Sequence, residues 1–156
     1  MKLSFACIER SISRRAFAFL FVLVLLVYSN TFHATWHFDD RHSIVDNAKI
    51  HITDLSLQSL SQAVQHPDAQ RLWRPLAYLS FGLNWYVGQD EVFGYHIVNI
   101  LIHFITAFIL FLTLLWLFRS PVLKESSSGD AHFISLLAAI LWAINPIQTQ
   151  AVTYIA

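Results

Sequence analysis

Two adjacent carboxylates, Asp39 and Asp40, stand in the stretch WHFDD, just behind an apolar run that ends near Phe32. A carboxylate held at a membrane surface can take the proton of an attacking hydroxyl, which is general base chemistry. The same pair can also do no more than cap a helix in a solvated loop. Histidines crowd the place: His33, His37 and His42. His33 and His37 have the i, i+4 spacing of a helical zinc site, but neither an HExxH motif nor a cysteine cluster accompanies them, so no metal site is assigned. Further on, His96, Asn99, His103 and Thr106 follow one another at spacings of three, four and three, which sets them on one helix face. Polar groups are costly in hydrocarbon, so this face should turn toward a helix bundle or a wet cavity. His103 and Thr106, the deeper two, read first as helix-to-helix hydrogen bonding. For His96 and Asn99 that role and the lining of a site are equally open.

The elements that must carry these residues are membrane helices. Of 156 residues, 56% are hydrophobic and only 13% are charged, against about 25% in an average soluble domain. The formal net charge is zero, which leaves no electrostatic case for nucleic acid. The single cysteine, Cys7, excludes an internal disulfide. Three apolar runs predict spans over about residues 14–32, 92–118 and 132–150, the last interrupted by Pro146. The first has the basic flank of a signal peptide, but no small-x-small cleavage site follows it, which favours a retained helix.

Lys2, Arg10, Arg14 and Arg15 precede the first span and place the N-terminus in the cytoplasm. Residues 33–91 then form an outer loop, RSPVLKESSSGDA a short cytoplasmic one, and NPIQTQ emerges on the same side as FDD. Within the outer loop, Thr53 and Asp54 read as a capping pair ahead of an amphipathic helix with Leu57, Leu60 and Val64 on one stripe. HPD breaks it, and Pro75 opens a second helix with a Leu76, Leu79 and Leu83 stripe. Trp73, Tyr78, Trp85 and Tyr86 are aromatics of the kind that favour headgroups, so both helices are expected to lie along the outer membrane face. The fold class is therefore all-α: a polytopic membrane helical bundle of about three transmembrane helices and two short interfacial ones.

FDD after the first span, RPL in the loop, GYHIVNILIH entering the second span and LLAAILWAINPIQTQAVTYIA at the third together resemble one family. The chain is similar to the N-terminal part of GT-C type membrane glycosyltransferases, specifically the transmembrane, tetratricopeptide-repeat O-mannosyltransferases. The resemblance covers about residues 16–156. Members of that family in animals usually read His-Pro and Thr-Glu near the third span, where this chain has Asn145-Pro146 and Thr149-Gln150. That difference points to a bacterial branch and an inner-membrane location. No repeats occur here, so the chain is expected to be the first part of a longer enzyme.

The resemblance implies a polyprenyl-phosphate-linked sugar as donor, a protein or glycan hydroxyl as acceptor, and transfer on the outer face. It implies Asp39 and Asp40 as the catalytic carboxylates, with Asp39 as the base and Asp40 as its support. It implies an Arg on the departing lipid phosphate, for which Arg74 in WRPL is the candidate. No cofactor is assigned, although the resemblance leaves room for a divalent ion. The competing function is a non-enzymatic membrane anchor for downstream tetratricopeptide repeats. A transporter is disfavoured, because transporter sites lie near the midplane and these acids do not.

Overall fold

The computed structural model describes residues 2–37, 39–65, 74–124 and 130–155, and among them every regular element is helical. Phe38, the HPD break, Trp73 and the Ser-Gly part of the loop after Lys124 lie outside the described residues. The helices are α1 (Lys2–Val27), α2 (Leu57–Val64), α3 (Pro75–Gly88), α4 (Val92–Phe118), α5 (Pro121–Lys124), α6 (Ala131–Ala143) and α7 (Thr149–Thr153). The chain forms two compact units. One comprises Met1–Asn30 with Ile100–Gln150, the other Thr31–Asn99 with Ala151–Ala156.

The first unit is built on helical seams. Ala16, Leu20 and Val24 recur every four residues on α1 and are buried, as are Ser135, Ala139 and Ala143 on α6. Small residues at these seams let helix backbones approach, and α1 packs on α6. Edge-on ring contacts of Phe17 and Phe21 with Phe104, at 4.8 and 5.1 Å between centroids, tie α1 to α4. The outward side chains are apolar too: Leu26 is 69% exposed and Trp116 84%.

Among the described residues α4 is the one helix long and apolar enough to cross a membrane. The boundaries expected for it, 92–118, coincide with the helix. The third apolar segment is two pieces, Ala131–Ala143 and Pro146–Thr153, bent by 51°, and passes the same test only when both are taken together. The cause is local. Asn145 accepts the Ile147 N–H at 3.0 Å and so caps the turn that opens with Pro146. In α1, Glu9, Arg10, Arg14 and Arg15 leave only Ala16–Val27 uncharged, a stretch of about 18 Å at ~1.5 Å per residue. The chain then tightens into a 3-10 turn, Ser29–His33, instead of continuing to residue 32 as α-helix.

The second unit has its own core of Ile44, Ile50, Tyr78, Phe81, Tyr95 and Ile155. Leucines of the two expected stripes stay outside this core, while two of the aromatics expected at the surface turn inward. Leu76 and Leu83 on α3 are 81% and 42% exposed, and the buried face is Tyr78, Phe81 and Gly82. Tyr78 is buried and Trp85 stacks on His51 at 3.5 Å, so neither stands on the outside as an interfacial aromatic. The sequence PLAYLSFGLNWYVG is apolar nearly all round, so period alone cannot choose a face, and the larger aromatic area goes inside. On α2, Leu57 is 87% exposed and Ala63 is buried instead. Ala63 meets Gly82, where an added Cβ would lie 3.3 Å from the Ala63 Cβ.

The cap of α2 also lies further on than expected. Ser56, not Thr53 or Asp54, is the N-cap, and its hydroxyl accepts the Ser59 N–H at 3.2 Å. Asp54 supports that cap by accepting from the Ser56 N–H at 2.8 Å and the Ser59 hydroxyl at 3.0 Å. These bonds, Ser56 first, hold the exposed Asp54 carboxyl below its ordinary range. A depressed carboxyl stabilises at pH above its unfolded-state value and loses that contribution as pH falls through the folded one.

Between α3 and α4 the chain turns on Gly88–Glu91, with the Glu91 N–H donating to the Gly88 carbonyl at 2.9 Å. Gln89 has φ 52° and ψ −119°, the conformation that the first central position of a type II′ turn reserves for glycine. The Tyr95 hydroxyl donates to the Gln89 carbonyl at 3.1 Å and holds it there. Such strain costs on the order of 1–3 kcal/mol. Gln89→Gly is expected to raise the thermal unfolding midpoint, followed by circular dichroism in detergent, whereas Gly82→Leu, which drives a branched side chain into Ala63, lowers stability by about 1–3 kcal/mol.

Candidate functional site

Asp40 lies in the second unit at the entrance to a π-helical turn, Arg41–Val45, and is 1% exposed. Its side chain does not cap that turn. One carboxylate oxygen, Oδ2, accepts the His37 N–H at 3.0 Å and the other, Oδ1, accepts the Ile155 N–H at 3.0 Å. A buried carboxylate is tolerable only when hydrogen-bonded in this way.

The peptide that Asp40 grips is gripped from its other side as well. Asn99 Nδ2, on the second turn of α4, donates to the Tyr154 carbonyl at 2.8 Å. One peptide unit, Tyr154–Ile155, is thus clamped between Asn99 and Asp40. The Thr31 and Thr153 hydroxyls meet at 3.3 Å, and the Tyr154 ring lies 5.6 Å from the His37 ring. The segment 153–155 is thereby drawn onto the chain that carries FDD.

His96 is wholly buried beside this clamp. Its Nε2 lies 3.4 Å from the Ala34 carbonyl, a contact that requires the proton on Nε2. Nδ1 is then a lone-pair acceptor, buried and without a hydrogen-bond partner. Asp40 and His37 both stand within electrostatic reach of the ring. The structure therefore brings together three of the residues singled out from the sequence: Asp40, His96 and Asn99.

Asp39 and Arg74 are placed differently. Asp39 is exposed, and no hydrogen bond or ion pair engages its carboxylate among the described residues. Its neighbour is fixed through both oxygens, so a free carboxylate sits next to an anchored one. Arg74 is exposed at the N-cap position of α3, and no hydrogen bond or ion pair joins it to the Asp40 cluster.

The rest of the polar stripe divides between the two units. His103, in the first, donates from Nε2 to the Ala143 carbonyl at 2.9 Å, which also accepts from the Tyr28 hydroxyl at 2.9 Å. Thr106 departs from the expected role: it is exposed and bonds the Ile102 carbonyl of its own helix at 2.8 Å, as a hydroxyl on a helix can. The helical spacing of His33 and His37 does not exist in space, because the 3-10 turn ends at His33 and residues 34–37 leave it. Among the described residues no group of three His, Cys, Asp or Glu side chains converges as a metal site would require.

Sequence reasoning did not single out Tyr154 or Ile155. The clamp uses their backbone, and a backbone contact leaves no trace in residue type.

No family model and no solved structure matches the chain. Curated proteins do. It is 31% identical over 139 residues to protein O-mannosyl-transferase Tmtc1 of Drosophila melanogaster, a match covering 83% of the chain and 14% of that protein. It is 27% identical over 151 residues to protein O-mannosyl-transferase F38B6.6 of Caenorhabditis elegans, covering 94% of the chain and 21% of that protein. With protein O-mannosyl-transferase TMTC3 of Mus musculus the identity is 30% over 137 residues, covering 84% and 14%. These matches relate the chain to the TMTC-type protein O-mannosyl-transferases, and it spans about a seventh to a fifth of the length of these relatives.

Asp40→Asn keeps the size of the side chain but removes the charge that strengthens both bonds. It is expected to cost about 1.5–3 kcal/mol in thermal or denaturant unfolding, the range for hydrogen bonds to charged groups. Asn99→Leu, which orphans the Tyr154 carbonyl, should cost about 1–3 kcal/mol. Asp39→Asn, which breaks nothing, should stay within about 0.5 kcal/mol of wild type.

Proposed function

We propose that the chain is the N-terminal membrane portion of a GT-C type glycosyltransferase that moves a sugar from a polyprenyl-phosphate donor to a hydroxyl of a protein or glycan acceptor. The observation that carries this reading is the pairing of an exposed Asp39 with an anchored Asp40, in a chain whose relatives are named protein O-mannosyl-transferases. In this reading the acceptor oxygen attacks the anomeric carbon as Asp39 removes its proton. The bond from the sugar to the phosphate breaks, and the lipid phosphate leaves as an anion. Arg74 holds that phosphate through its guanidinium fork. Asp40 is a positioning residue, because its oxygens are committed to backbone amides. His96 and Asn99 hold the surrounding backbone and line the approach.

The topology that goes with this reading has three crossings: the apolar part of α1, α4, and the bent pair α6–α7. The N-terminus is cytoplasmic, FDD faces the outer side, and α2 and α3 rest on that surface through the exposed Leu57, Leu76 and Val87. In a bacterium the membrane would be the inner one.

Two measurements test the proposal. In a Cys7→Ser background, Gln58→Cys should react with a membrane-impermeant maleimide applied to intact cells, and Val122→Cys only after permeabilisation. Labelling of position 122 from outside would refute the topology. In the full-length protein, Asp39→Asn should lose about 10²- to 10⁴-fold in sugar transfer from a polyprenyl-phosphate donor while retaining donor binding. Near-normal transfer would return FDD to a loop and favour a membrane anchor for downstream repeats.

A further inference from the structure

In the second unit an exposed aromatic ring stands beside the exposed carboxylate of Asp39. Asp40 holds two stretches of chain at once, with Oδ2 on the His37 N–H and Oδ1 on the Ile155 N–H, each at 3.0 Å. Ile155 is buried in the core of this unit together with Ile44, Tyr78 and Tyr95. Tyr154, the residue before it, is 41% exposed, and its hydroxyl makes no hydrogen bond among the described residues. The His37 ring lies 5.6 Å from the Tyr154 ring at an angle of 55°, so it does not stack flat on it. Asp39 and Tyr154 are the chain neighbours of the two residues that the Asp40–Ile155 bond joins, so carboxylate and ring flank one hydrogen bond of 3.0 Å. The ring also has a fixed base. Asn99 holds the Tyr154 carbonyl at 2.8 Å, and the Thr31 and Thr153 hydroxyls meet at 3.3 Å.

A pyranose presents its C–H groups on its faces and its hydroxyls around the rim. The C–H groups carry slight positive charge and pack on the electron-rich face of an aromatic ring. If Asp39 deprotonates the acceptor hydroxyl, the anomeric carbon of the donor must come within bonding range of an oxygen held at Asp39. The pyranose then lies over the surface next to Asp39, and the Tyr154 ring belongs to that surface. We propose that Tyr154 is the platform for the donor sugar: its ring face packs on the C–H face of the pyranose and sets the anomeric carbon toward the acceptor oxygen. This inference rests on the transfer reading and deepens it, because it names the group that recognises the sugar, as distinct from the lipid phosphate. It also gives the clamp on segment 153–155 a use. A ring on a backbone already fixed by Asp40 and Asn99 loses less freedom when a ligand packs on it.

The experiment uses the full-length protein in detergent and two probes: mannosyl-phosphopolyprenol, chosen because the relatives are named O-mannosyl-transferases, and the same polyprenyl phosphate without the sugar. Equilibrium binding of both is measured, with sugar transfer followed in parallel. Tyr154→Leu should weaken binding of the mannosyl lipid about 2- to 10-fold, the range for one aromatic packing contact, and leave the sugarless lipid unchanged. Unchanged binding of the sugarless lipid shows that the variant is folded. Tyr154→Phe, which keeps the ring, should recover the loss. Equal binding of the mannosyl lipid by wild type and Tyr154→Leu would overturn the proposal. So would equal losses for both lipids, which would mean a structural role, or a loss in Tyr154→Phe as large as in Tyr154→Leu, which would mean the hydroxyl. Failure of wild type to bind the mannosyl lipid would overturn it as well. The transfer reading is judged separately by Asp39→Asn: normal transfer in that variant, with the Tyr154→Leu loss still present, would sink the role of Asp39 and leave the sugar platform standing.

Discussion

Backbone polar groups that leave a helix in apolar surroundings must be given partners, and most of what is polar in this protein answers that demand. The clearest instance is the Ala143 carbonyl. If α6 continued, the Ile147 N–H would reach it. Pro146 cannot extend the ladder, and Asn145 takes the Ile147 N–H for its own side chain at 3.0 Å. The carbonyl is satisfied instead by Tyr28 and His103, each at 2.9 Å. His103 is further fixed between rings, stacked on Trp142 at 4.9 Å and edge-on to Tyr28 at 5.2 Å. One interrupted helix thus explains why a histidine and a tyrosine occupy otherwise apolar seams.

The same rule governs the second unit. His51 Nε2 contacts the Ile44 carbonyl at 3.0 Å where the π-helical turn has run out of partners. His96 serves Ala34 in the extended stretch after the 3-10 turn. Asp40 and Asn99 serve the two sides of the Tyr154–Ile155 peptide beyond α7. Each of these histidines pairs with a carbonyl, a role that requires the neutral or protonated ring to donate and leaves the second nitrogen to its surroundings. For His96 that second nitrogen is buried and unpartnered, the one place in this network where the accounting stays open.

How much of this could be read beforehand follows from the same physics. The helix over 92–118 was legible because its residues are apolar without interruption, and length alone then decides. That His96, Asn99 and His103 face protein was legible from spacing, since a polar stripe in hydrocarbon has few alternatives. Thr106 was misplaced because a hydroxyl can bond its own helix and needs no bundle. Tyr78 was misplaced because an apolar helix with leucines on one side and aromatics on the other lets either side take the core, and here the leucines stay outside. The clamp on Tyr154–Ile155 was invisible, because its targets are main-chain atoms far away in sequence. The tightening of α1 into a 3-10 turn left no mark in a run that stays apolar to Phe32.

The adjacency of Asp39 and Asp40 takes on meaning from these contacts. Holding a residue's backbone in one conformation costs roughly 1–2 kcal/mol, and an exposed loop residue would ordinarily remain free. Asp40 meets that cost for its neighbour: with both oxygens bonded and the residue buried, the Cα of Asp39 has little room to move. Asp39 keeps an unengaged carboxylate on a fixed backbone. A group so placed can meet a substrate without first being immobilised, which is the condition under which proximity contributes most to rate. Asp40 is bonded to a peptide 115 residues away and so ties this loop to the segment beyond α7. It does not cap the turn it precedes. In the proposed reading the pair is an anchor and the group it presents.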